Sequence, residues 1–314
     1  MTPKILWTIC GFLIVIGVGV IFRSEFKFDN SKKVSGESLD VLSSPALSPA
    51  IIPIKKTNIS DPNIVAKAVY LIDVASFYPM YAKEENQKVP IASTTKMATA
   101  LVVLENHSNK LQDVVTITSK MISVEGSDIQ LLPGEKITVD NLLNGLLIMS
   151  GNDTAHALAD YFGGKEGFVN EMNAKVRTIG ALNTEYQDPA GLDDKGYSTA
   201  KDLTLIGAYA LRNNRFSEIV KTPEKTITSV DGRITHELTN SNRMLRQEET
   251  YFYPYTIGIK TGFTNEAGHV LVSCAEKDGH KILAVVLNTN ANTLTASAEE
   301  SKKLLDWGFS NWSW

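Results

Sequence analysis

Strand-like segments stand at both ends of the body of this chain, with helical patterns between them. Ala66 to Val74 (AKAVYLIDV) and Phe77 to Lys83 (FYPMYAK) read as two strands joined by a tight turn. Thr256 to Thr264 (TIGIKTGFT), His269 to Glu276 (HVLVSCAE) and His280 to Asn288 (HKILAVVLN) are β-rich, and Lys277-Asp-Gly-His280 is a hairpin turn. From Ser93 to about Arg215 the apolar spacing is helical, as in TTKMATALVVLE, VDNLLNGLLIM, DTAHALADYFGG, EGFVNEMNAKVRTIG and TAKDLTLIGAYALR. A last amphipathic helix runs over about Thr293 to Phe309. Two strands early and three late imply one antiparallel five-stranded sheet completed by both ends of the chain. Helices flank it, and a helical subdomain over about 97–225 is inserted: an α+β fold.

A chain of 314 residues, 43% of them hydrophobic, can bury a sizeable catalytic site. Net charge is −4 and no basic stripe occurs, which excludes nucleic acid as a partner. Cys10 and Cys274 fall in segments of different character, so no internal disulfide is expected. Ile5 to Phe22 (ILWTICGFLIVIGVGVIF) is uncharged and of the length that spans a bilayer as a helix. The run ends in Val-Ile-Phe-Arg without a small-x-small pair, so an uncleaved anchor over residues 1–23 is favoured over a cleaved signal peptide. Residues 24–61, rich in Ser, Pro, Lys and Asn, read as a flexible tether, which leaves 62–314 as the folded domain. Taken alone, Lys4 on one side of the run and Arg23, Lys27, Lys32 and Lys33 on the other argue mildly against export.

Val89-Pro-Ile-Ala-Ser-Thr-Thr-Lys-Met places Ser93 and Lys96 three residues apart at a helix start, on one face. The same spacing recurs at Ser24 with Lys27 and Ser198 with Lys201, so the pair alone decides nothing between a nucleophile with its base and a helix cap beside a surface lysine. Two further motifs decide. Met149-Ser-Gly-Asn-Asp153 holds the only Ser-x-Asn, in a break between predicted helices, and Gly258-Ile-Lys-Thr-Gly-Phe-Thr264 holds the only Lys-Thr-Gly, on a predicted strand. One Lys-Thr-Gly is expected by chance in roughly one chain in ten of this length, and the order of the three adds weight. Ser198 with Lys201 has no Ser-x-Asn after it.

Ser-x-x-Lys, then Ser-x-Asn, then Lys-Thr-Gly is the pattern of penicillin-recognising serine enzymes. With GIKTGFT, AGHVLV and the terminal LLDWGF, the chain from about Ala66 to Trp312 resembles the low-molecular-mass penicillin-binding proteins, the serine D-alanyl-D-alanine carboxypeptidases. Many members carry a further β-rich domain and a C-terminal amphipathic anchor; here attachment is expected through Ile5 to Phe22.

The resemblance implies a β-lactamase/transpeptidase-like fold and a site outside the cytoplasm, on the bacterial membrane. The implied substrate is a peptidoglycan stem peptide ending in D-Ala-D-Ala, with β-lactams as covalent inhibitors. Ser93 attacks, and Lys96 takes its proton once burial and the neighbouring cation Lys260 have made it neutral. Ser150 passes a proton to the leaving amine and helps hold Lys96, while Asn152 bonds the substrate's amide backbone; either residue would equally serve as a cap between helices. Lys260 and Thr261, on an edge strand where Gly262 allows close approach, hold the terminal carboxylate. The backbone N–H groups of Ser93 and Phe263 form the oxyanion hole.

Asp153 reads as a first-turn helix charge, and Asp188-Pro-Ala-Gly-Leu192 as an ordinary turn with no catalytic role. His107, His156, His236, His269 and His280 show no metal-ligand spacing, so neither metal nor cofactor is expected. A D,D-endopeptidase acting on cross-links with the same residues stays open, as does a receptor acylated by β-lactams without turnover. A β-lactamase of the Ser-Asp-Asn type would carry a further glutamate for deacylation; Glu166 and Glu171 fall instead on an amphipathic helix.

Overall fold

The computed structural model describes residues 51–289 and 293–314, so the expected membrane run and most of the expected tether, Ser24 with Lys27 included, lie outside the described residues. Strand β1 (Ile54–Lys55) is followed by β2 (Ala66–Asp73) and β3 (Pro79–Lys83). A 3₁₀ turn over Ala92–Thr95 leads into α1 (Lys96–Asn106). Next come β4 (Val114–Thr116), β5 (Lys136–Thr138), α2 (Val139–Asn144), a π turn over Gly145–Met149, α3 (Asn152–Tyr161) and α4 (Lys165–Ile179). Helices α5 (Ala200–Ala210) and α6 (Asn214–Val220) precede the hairpin β6 (Glu224–Thr228) and β7 (Thr235–Thr239). The chain then forms β8 (Thr256–Thr264), β9 (Gly268–Lys277), β10 (His280–Thr289), α7 (Ala296–Asn311) and β11 (Trp312–Ser313).

The main sheet has the order β3-β2-β10-β9-β8, antiparallel throughout, as the two-plus-three pattern implied. Its hairpin turn at Asp278 and Gly279 takes left-handed φ values of 52° and 82°, which a two-residue turn between twisted strands requires. Along β10, Leu283, Val285 and Leu287 join one apolar cluster, while Ile282, Ala284 and Val286 join another. Because a strand alternates its side chains between faces, both faces of the sheet are dry and each needs a helical cover. Helix α5 supplies it over β10 and β2 on one face; α7, through Leu304 and Leu305, supplies it on the other. Among the described residues, β8 has no strand partner on one edge.

Two corrections apply to the sequence reading. The block between the sheet halves is not purely helical: β4 pairs with β5, and β6 with β7. Residues 54–55, assigned to the tether, pair with Trp312 and Ser313, so the folded body begins before residue 62. Among the described residues no helix is long and apolar enough to cross a membrane.

Candidate active site

The site is assembled where the turn before α1 meets the edge strand β8. A Cβ built on Gly262 would sit 2.8 Å from Ser93 N and 3.0 Å from Ala92 Cβ, so only glycine lets the strand run against the turn. Ala92 itself holds φ 47° and Ser150 φ 70°. Left-handed backbone in side-chain-bearing residues costs about 1 kcal/mol or more at each position, and it clusters at functional sites.

Lys96 is wholly buried, and its Nζ has three partners: Ser93 Oγ at 2.7 Å, Asn152 Oδ1 at 2.7 Å and Ala190 O at 2.9 Å. Two of these are carbonyl oxygens, which only accept. The Asn152 amide is oriented by its own Nδ2, which donates to Glu125 O at 2.6 Å. A neutral amine has two N–H bonds and one lone pair; with both N–H groups given to the carbonyls, the lone pair is left for the Ser93 hydroxyl. Burial brings the Lys96 pKa down to about 7, against the pull of the Asp188 and Asp153 carboxylates, which favour the charged form. Lys260, also fully buried, is driven well below the ordinary lysine range by desolvation and then by the Lys96 charge. The expected repulsion between the two ammonium groups thus falls on Lys260, which lacks the carboxylate neighbours of Lys96.

Lys260 Nζ donates to Thr261 O at 3.1 Å and reaches Ser241 Oγ at 3.5 Å, and the Ser241 and Thr261 hydroxyls are 2.7 Å apart. Ser93, Ser150, Asn152, Thr261, Gly262 and Phe263 line one cleft of about 510 Å³, with Ser241, Arg243 and Arg246 beside them. All eight residues singled out by sequence therefore gather at one place, Lys96 and Lys260 being buried in its wall. Phe263 is half exposed at the mouth and stacks on His269 with ring centres 4.4 Å apart.

The structure differs from the expectations in four respects. Asn152, not Ser150, grips Lys96. Of the two expected caps only Ser150 is one, as the left-handed C-cap of the π turn; the N-cap position of α3 falls on Gly151, not on Asn152. Asp153 is no exposed helix charge: it is buried and accepts backbone N–H bonds from Ile129, Leu131 and Thr154. The Asp188 turn is part of the machinery, since both its oxygens are taken up by the N–H groups of Ala190, Gly191, Leu192 and Asp193 at 2.7–3.0 Å, which points Ala190 O at Lys96. Ser241 carried no motif and went unnoticed.

Ser198 and Lys201 form no such pair. Ser198 is buried against Thr184 Oγ1 at 2.7 Å, and Lys201 is exposed. His236 is held between Ile129 O and Glu135 Oε1, both at 2.8 Å. Among the described residues no group of three or more His, Cys, Asp and Glu is placed to hold a metal ion. Glu166 is exposed on α4.

A buried lysine aimed at a serine, beside a free sheet edge able to receive an extended peptide, defines a serine enzyme of acyl transfer. A sequence model of the D-alanyl-D-alanine carboxypeptidases matches residues 55–291, and the chain belongs to that family. It is 34% identical to D-alanyl-D-alanine carboxypeptidase DacF of Bacillus subtilis over 79% of this chain, spanning 63% of that relative's length. It is 35% identical to a D-alanyl-D-alanine endopeptidase of Pseudomonas aeruginosa over 73% of each chain. The solved Streptomyces K15 DD-transpeptidase superposes with a TM-score of 0.75 at 31% identity, covering 80% of this chain and all of that one.

Proposed function

We propose that this protein is a serine D,D-carboxypeptidase of peptidoglycan stem peptides, working through an acyl-enzyme on Ser93. The observation that carries the reading is the Lys96 amine, 2.7 Å from Ser93 Oγ with carbonyl oxygens at its other two positions. Ser93 Oγ attacks the carbonyl of the penultimate D-alanine as its proton passes to Lys96 Nζ. The N–H groups of Ser93 and Phe263 receive the oxyanion. The C–N bond then breaks, and the leaving amine of the terminal D-alanine takes a proton through Ser150. Water adds to the ester, the Ser93–acyl bond breaks, and the proton returns to Ser93. Asn152 bonds the substrate's amide backbone, and Thr261, with Lys260 behind it, holds the terminal carboxylate.

β-Lactams are read as inhibitors because their carbonyl meets the same serine and the ring-opened product stays attached. A second reading, endopeptidase action on cross-links, is favoured by the relative of that name. Attachment to the bacterial membrane by residues 1–23, with the catalytic domain outside the cytoplasm, rests on the uncharged run Ile5 to Phe22.

The test is covalent labelling with a fluorescent penicillin together with product analysis on muropeptides. Labelling is expected at Ser93 and lost in Ser93→Ala, while Ser198→Ala keeps it. Free D-alanine marks the carboxypeptidase and separated dimers the endopeptidase; a label on another serine overturns the assignment.

A further inference from the structure

Asp153 is 2% exposed and makes no ion pair among the described residues. Its oxygens take the N–H of Ile129 at 3.1 and 3.2 Å, that of Leu131 at 3.2 Å and that of Thr154 at 2.8 Å. A buried carboxylate without a cation is costly: burial, with the nearby Asp128 charge, raises the Asp153 pKa, and the backbone donors of Leu131, Thr154 and Ile129 work against that rise. They come from the segment that walls the cleft with Gly126 and Ser127. The next residue back, Asn152, closes the same seam: its N–H donates to Ser127 O at 2.7 Å and its Nδ2 to Glu125 O at 2.6 Å. There is no slack, since a Cβ on Gly126 would lie 2.8 Å from Asn152 Nδ2. The opposite end of the Asn152 amide is the oxygen that receives Lys96 Nζ.

We propose that Asp153 is a positioning residue of the reaction, a step that rests on the Ser93 and Lys96 reading above: by fastening residues 125–131 to the start of α3, its carboxylate fixes the Asn152 amide that orients the Lys96 amine. Aspartate is needed because the segment presents several N–H donors to one side chain. Asparagine would offer a single acceptor oxygen and turn an NH₂ group toward those donors. Asp153 also acts at a distance, as one of two carboxylates, with Asp188, that favour the charged form of Lys96. Lys260 and the partly buried His156 are the other titratable groups coupled to that amine. Removing the Asp153 charge therefore makes Lys96 easier to deprotonate while loosening the group that aims it.

The experiment follows penicillin acylation against pH in the full-length protein and in Asp153→Asn, with hydrogen exchange at the Ile129 and Leu131 amides. Asp153→Asn is expected to acylate about tenfold to a hundredfold more slowly at its best pH, as for a misplaced reacting group. Its acid limb should move to lower pH by about half a unit or more, the direction set by losing a negative neighbour, and the two amides should exchange faster. A merely structural role would slow the reaction without moving the limb. A wild-type pH profile, or unchanged exchange at both amides, overturns the proposal. Should Asp153→Asn not fold, Gly126→Ala strains the same seam from the loop side while keeping the Asp153 charge; slowed acylation together with faster exchange at the Ile129 and Leu131 amides is then expected, and a wild-type rate or unchanged exchange overturns the proposal. If Ser93→Ala still labels, the functional reading fails; if Ser93→Ala is dead and Asp153→Asn is normal, only this inference falls.

Discussion

Lys96 acts as a base only in its neutral form, so the pH at which the enzyme switches on is set at this one side chain. With its pKa lowered to about 7 by burial, the amine is mostly charged below that value and mostly neutral above it. Acylation by penicillin is expected to rise through about pH 7 and level off, whereas an ordinary lysine would leave it climbing to about pH 10. Lys96→Arg, charged at every accessible pH, should acylate slower by several orders of magnitude; near-normal rates would remove Lys96 from the mechanism. Gly191 is as tightly constrained. It holds φ 81°, and a Cβ there would fall 2.0 Å from Ala92 O, next to the nucleophile. Gly191→Ala must push the Asp188 turn away from the serine, with labelling expected to drop at least about tenfold. The serine, lysines and asparagine could be read from sequence because each contributes a side chain inside a motif. Ala190 could not, because it contributes a carbonyl that any residue possesses, and Ser241 could not, because a single hydroxyl carries no pattern.

At the scale of elements, legibility followed how much local sequence each element uses. Strands β2, β9 and β10 have both faces largely dry, so they appear as runs rich in Val, Ile, Leu and Ala, whereas β8 was legible through its Lys-Thr-Gly motif; helix α4 carries its apolar stripe over four turns up to Gly180. β4 and β5 are three residues each, with burial patterns of one buried residue between more exposed ones. Nothing that short yields a period, and their pairing arises only when the intervening chain closes on itself. The β6–β7 hairpin was missed because its alternation is carried by Thr, Glu and Lys, with Ile227, His236 and Leu238 as its buried contacts. Helix α5 illustrates what anchors an element to the sheet. Its N-cap Thr199 is buried and accepts the Asp202 N–H at 3.0 Å, and the helix covers β10 and β2. Thr199→Ala is expected to cost about 1–2 kcal/mol, lowering the thermal midpoint by about 2–8 °C while penicillin labelling persists. No shift in the melting curve would show that the cap is dispensable.

For the whole molecule, the question is whether the catalytic body depends on the segment proposed to hold it at the membrane. Residues 49–314 form one compact unit, and both apolar clusters, one on each face of the sheet, are drawn from it. Its first strand pairs with its last, Ile54 opposite Ser313 and Lys55 opposite Trp312, and Lys56 Nζ reaches Ser310 O at 2.6 Å. The two ends of this unit are thus fastened to each other. The stretch from Ser24 to Ser48 is rich in serine and charged residues, and is read from its sequence as a tether. Protease added to vesicles carrying the full chain is therefore expected to cut in that stretch and release a soluble fragment beginning near Pro49. That fragment should still label with penicillin at Ser93 and melt close to the uncut protein. Uncut protein should sediment with the vesicles, held by Ile5 to Phe22. A natural protein whose mass begins near residue 24 would show that run to be a cleaved signal. A released fragment that no longer labels would show instead that the preceding segment is part of the working fold.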